Sequence, residues 1–77
     1  MVKVTYHQVR DVLEAALEQH GPNASALAGA VAELVPPEYR TVAYEDVLDK
    51  LRTSVWSPRC ACDLARIAWR ALPLEVR

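Results

Sequence analysis

Every proline in this chain falls at the edge of a segment of helical periodicity and none inside one. The five prolines are Pro22, Pro36, Pro37, Pro58 and Pro73. Proline inside a helix removes an amide donor and drives its ring into the preceding turn, so these positions read as boundaries. They leave four short segments, each with its own start and stop signals.

The first segment predicts a helix over residues 6–20. Thr5 and Gln8 have the spacing of a capping box, and Val4 and Val9 that of a hydrophobic staple around it. Tyr6, Val9, Val12, Leu13, Ala16 and Leu17 recur with helical period. His20 lies in the last turn, and Gly21-Pro22 stops the helix. Asn23 is a cap for a second helix over residues 24–34. That helix is small and apolar almost all round, which predicts burial on most sides. Pro36-Pro37 ends it, and residues 37–40 read as a short turn or a single 3₁₀ turn.

Thr41 reads as the cap of a third helix over residues 42–53, with Tyr44, Val47, Leu48, Leu51 and Val55 on its apolar face. Ser57-Pro58 reads as a cap followed by proline at the first helical position. The fourth helix then spans residues 58–72, with Cys60, Ala61, Leu64, Ile67, Ala68 and Ala71 on one face. Pro73 ends it and leaves a short tail, Leu74 to Arg77. The alternation Val2-Lys3-Val4-Thr5-Tyr6 competes as a strand, but the capping box claims the same residues. The expected fold class is therefore all-α: a compact bundle of four, at most five, short helices, forming one domain over residues 1–77.

Length limits what such a fold can do. A chain of 77 residues builds one small core with little stability to spare, so association with a partner would add to it. With 52% hydrophobic and 25% charged residues, the chain is globular rather than disordered. A formal net charge of -1 argues against a general binder of the phosphate backbone. The run from Ala24 to Val35 contains Ser25 and Glu33 and is too short to span a bilayer, so no membrane is expected. The opening Met1-Val2-Lys3-Val4 lacks the apolar stretch of a signal peptide. Two cysteines one residue apart cannot easily close a disulfide. We therefore expect a cytoplasmic protein.

Chemistry-bearing motifs are scarce. The two glycines are single and far apart, so no phosphate loop is formed, and no nucleophile elbow or zinc-protease motif is found. We expect no enzyme and no cofactor. His7, His20, Cys60 and Cys62 are the candidate metal ligands. Helical residues two apart point about 200° from each other, so Cys60 and Cys62 are poorly placed to chelate one ion, and no metal is expected. Cys60, read as the third helical residue beside Arg59, is a candidate reactive thiol. The plainer reading makes it a small core residue. A redox or metal sensor using both cysteines is a minor reading.

Two charged stripes remain. Asp11, Glu14 and Glu18 share one face of the first helix through i, i+3, i+7 spacing. Arg59, Arg66 and Arg70 share one face of the fourth, interrupted by Asp63. Solvated charges are expected on the outer faces of any amphipathic bundle. Yet one acidic and one basic face also let a domain bind another protein, or copies of itself head to tail. Small adaptor domains of the death-fold type work this way; the likeness is one of architecture and charge, with no shared motif. Trp69 is a candidate anchor beside the arginines, although both Trp56 and Trp69 also suit a core that lacks Phe. The expected function is a protein-interaction, adaptor or regulatory module. The alternative is a nucleic-acid-binding transcriptional regulator reading through the fourth helix.

Overall fold

The computed structural model describes residues 3–56 and 60–77. Four α-helices and two 3₁₀ turns follow one another: α1 (Tyr6–His20), α2 (Ala24–Ala32), a 3₁₀ turn (Pro37–Tyr39), α3 (Arg40–Thr53), α4 (Ala61–Ala71) and a second 3₁₀ turn (Leu74–Val76). Each helix packs on two others, α1 on α2, α2 on α3, α3 on α4 and α4 back on α1, which closes a four-cornered bundle. No strand is present among the described residues, and Lys3–Thr5 is extended but unpaired as a strand.

α1 has the limits that its caps dictate. The Thr5 side chain accepts from the Gln8 amide while Gln8 Oε1 accepts from the Thr5 amide, at 3.2 and 2.9 Å. Val4 and Val9 are both buried, as the staple requires. Gly21 closes the helix at φ 68°, its amide donating to the Leu17 carbonyl. Positive φ is nearly free for glycine and strained for other residues. Asn23 caps α2 by accepting from the Ala26 amide at 3.2 Å.

Three boundaries differ from the sequence expectation. α2 ends at Ala32, and the next residues tighten into i→i+3 bonds, Leu34 to Val31 and Val35 to Ala32, before Pro36 turns extended (φ -57°, ψ 150°) ahead of Pro37. α3 begins at Arg40, with Tyr39 rather than Thr41 at its cap position, because the proline-initiated 3₁₀ turn runs straight into it. α4 begins at Ala61, not Pro58. Cys60 is extended (φ -123°, ψ 95°) and occupies the cap position, so no helix passes through it. The expected cap Ser57, Pro58 and Arg59 lie outside the described residues.

Val55 also lies elsewhere than its spacing predicts. It was expected on the apolar face of α3, but the helix stops at Thr53 and Val55 is fully exposed. The stop is made by side chains: Thr53 Oγ1 donates back to the Asp49 carbonyl at 3.0 Å, and Trp56 Nε1 donates to the Leu51 carbonyl at 2.8 Å. The Trp56 bond satisfies a carbonyl that the helix end leaves without a partner, whereas the Thr53 bond is a back-bond to a carbonyl within the last turn.

The core is aliphatic and continuous through all four helices. Val9, Leu13, Leu27, Val31, Val47 and Leu64 are fully buried, and Leu72 and Val76 join them. Val76 belongs to the tail. Its carbonyl accepts the amide of Val4, and the carbonyl of Val4 accepts Trp69 Nε1 at 3.1 Å. Arg77 lays its guanidinium 5.5 Å from the Trp69 ring centroid. The two ends of the chain are thus paired beside α4, which rotates the buried face of α4. Ala65 and Leu72 are in the core, whereas Ile67 and Ala71 are only half-buried.

Replacing Trp69 by Phe keeps most of the apolar contact but leaves the Val4 carbonyl without its donor. Stability should fall by about 1–2 kcal/mol, measured by urea unfolding followed by far-UV circular dichroism. The two glycines should respond in opposite directions. Gly21→Ala forces a methyl into positive φ and should cost about 1–2 kcal/mol. Gly29→Ala, whose Cβ would meet open space, should stabilise the helix by about 0.5–1 kcal/mol.

Candidate functional site

The interior offers no group for chemistry. No polar or charged residue is buried among the described residues, and no three His, Cys, Asp or Glu side chains converge on a metal-sized site. Among the described residues, the charged side chains of the helices lie on the outward helix faces.

On α1 that face is acidic. Asp11, Glu14 and Glu18 are all exposed, with exposed Ala15 among them. The stripe is not purely negative. Arg10, one turn before Glu14, places Nε 3.8 Å from Glu14 Oε1. Both side chains are well solvated, so the pair contributes at most a few tenths of a kcal/mol. Arg10 Nε is shielded from solvent without a hydrogen bond, so its interaction with Glu14 is Coulombic.

The outward face of α2 is small and mostly uncharged. Leu27, Ala28, Val31 and Ala32 are buried, but Ala26, Gly29 and Ala30 are only half-covered. The expected burial on most sides is thus incomplete, because no fifth element among the described residues covers this side. With Val12, Ala15 and Gln19 of α1, these residues line an open groove of about 510 Å³.

α3 presents Glu45, Asp46 and Asp49 outward, with Val42 half-exposed at 49%. α4 presents Arg66 and Arg70, both exposed, with exposed Asp63 one turn earlier. Arg59, the third member of the expected basic stripe, lies outside the described residues. Among the described residues no carboxylate stands within ion-pair distance of Arg66 or Arg70.

Packing of α3 on α4 adds a cation that sequence reasoning missed. Lys50, Ser54, Ile67, Arg70 and Ala71 line a second open groove, of about 330 Å³. Lys50 thereby extends the basic face of α4 from a neighbouring helix. Its charge was legible in the sequence, but its place beside Arg70 depends on how two helices pack.

The other candidates are placed as follows. Trp69 is half-buried, with its indole N–H bonded to Val4 and its ring under Arg77, so it serves the fold. The Trp56 N–H is likewise used internally. Cys60 is half-buried at the α4 cap position, and Cys62 is exposed in the first turn. Cys60 is therefore not the third helical residue. His7 is exposed and edge-on to Tyr6, at a ring separation of 5.8 Å. His20 is exposed at the end of α1 and borders the α1–α2 groove. Residues 54–60 separate α3 from α4, longer than the turn of about three or four residues in a helix-turn-helix.

The fold and these faces define a small all-α protein: a four-helix bundle with an aliphatic core and sorted surface charge. No protein-family model, no curated protein and no solved structure matches the chain. No helix among the described residues is long and apolar enough to cross a membrane.

Cys60 makes no side-chain bond to the amides that it caps. Its extended backbone suits a better cap, so Cys60→Ser should stabilise the protein by about 0.5–1 kcal/mol. Thermal unfolding would check this, and a loss of stability would mean that packing of the thiol outweighs capping.

Proposed function

We propose that this chain is a non-enzymatic protein-interaction module, of adaptor or regulatory type, working in the cytoplasm through its oppositely charged helix faces. The observation that carries the reading is the exposed pair Arg66 and Arg70, without a carboxylate at ion-pair distance among the described residues. On the neighbouring helix stand Asp11, Glu14 and Glu18, of which Glu14 is paired to Arg10. Unspent charge of both signs on one small domain suits binding to copies of itself, head to tail, or to another protein of complementary charge. Two open grooves, with no polar residue buried among the described ones, fit a binding surface better than a catalytic cleft.

Nucleic-acid recognition is the weaker reading. The formal net charge of -1 and the exposed carboxylates of α1 and α3, Glu45, Asp46 and Asp49 among them, oppose a phosphate backbone. The long α3–α4 connection adds to that objection.

Molar mass by light scattering tests the proposal directly. Mass should rise with protein concentration and fall as salt screens the faces. Arg66→Glu with Arg70→Glu should weaken self-association at least tenfold while leaving the helical spectrum unchanged. Self-association that ignores the reversal would remove the basic face from the account.

A further inference from the structure

Resting on that reading, we propose that the groove between the ends of α3 and α4 is the seat for the acidic face of α1 from a second copy of this chain. Lys50 would act as its third cation. The groove has half-buried Ile67 and Ala71 on its apolar side and Lys50 and Arg70 as cations, with Arg66 one turn away on α4. Ser54 adds a hydroxyl at one end.

The acidic face of α1 has the matching arrangement. Exposed Ala15 lies among Asp11, Glu14 and Glu18. On a helix, residues three and four apart are surface neighbours, so Ala15 is a low point flanked by carboxylates. Laid into the groove, Ala15 would meet Ile67 and Ala71 while the carboxylates reach Lys50, Arg66 and Arg70. An uncharged floor matters because Coulomb attraction strengthens when water is displaced from between the partners. Two carboxylates border the seat and oppose the fit: Asp46 one turn before Lys50, and Asp63 one turn before Arg66. Neither stands at ion-pair distance from those cations, so neither neutralises them. The seat and its occupant are different surfaces, so the contact is heterologous: one copy keeps its seat free, the other its acidic face, and the pair can grow at both ends.

Two face-blocked chains test this. One carries Glu14→Lys and Glu18→Lys, the other Lys50→Glu and Arg70→Glu; all four positions are exposed. Circular dichroism first confirms that both remain helical. Each alone should be monomeric at concentrations where the parent chain associates. An equimolar mixture should give a 1:1 complex by light scattering, because one intact acidic face then meets one intact basic seat. Absence of that complex overturns the proposal, as does a parent chain that is monomeric at every salt and concentration. Lys50→Glu alone separates the seat from the broader reading. It should weaken association at least tenfold. Unchanged assembly by Lys50→Glu, with assembly lost on reversing Arg66 and Arg70, would sink the seat and leave the charged-face module standing.

Discussion

The peptide unit of Val4 is where this fold is closed. Its amide donates to Val76 and its carbonyl accepts from Trp69. A backbone group turned toward a core needs a partner, or the folded state bears the cost of desolvating it. Both groups are satisfied by residues more than sixty positions away in the chain, so the first and last segments are ordered only together. That dependence is useful to a chain without Phe. The aliphatic interior of four short helices leaves one flank of α4 open. The paired ends, with Val4 and Val76 buried, close it.

Much of the architecture was legible because local signals and tertiary packing agree. α1 matches its capping box, its staple and its Gly21-Pro22 stop. Pro22, Pro36, Pro37 and Pro73 divide the chain where the structure does. What was not legible had no local signature. The tail looked like spare chain, since nothing in Leu74-Glu75-Val76-Arg77 announces a buried valine. Trp69 reads from the sequence either as an anchor beside the arginines or as part of the core, because periodicity within α4 does not show the chain ends that its indole joins. Ser57-Pro58 is a strong local start signal, yet Cys60 is extended and α4 begins after it. Trp56 folding back on Leu51 gave α3 an end that apolar spacing through Val55 could not foresee.

The candidate site divides along the same line. Asp11, Glu14, Glu18, Arg66 and Arg70 are exposed where helical periodicity put them, because an outward face needs only the knowledge of which side is buried. Lys50 and Arg10 were passed over for the converse reason. Each sits at the border of its own helix face, and border residues acquire meaning from the neighbouring helix. Arg10 tempers the acidic stripe, and Lys50 enlarges the basic one. Charge at helix borders is thus where a sequence reading of a bundle is least informative.

The positions of the two faces also limit the kind of assembly that they can build. In a four-cornered bundle, outward faces on adjacent corners diverge by roughly a right angle, whereas opposite corners point about 180° apart. α1 and α4 are adjacent corners, since they pack on one another. The proposed seat lies between the α3 and α4 corners, neither beside the outward face of α1 nor directly opposite it, so copies joined in the proposed way would turn at every step instead of stacking in a straight line. Repeated turning closes into a ring when the rotation divides the circle, and winds into a helical filament when it does not. A domain with its charges on opposite corners would have no such limit. The choice of neighbouring helices for the two signs is thus a constraint on the shape of any assembly as well as on its partners.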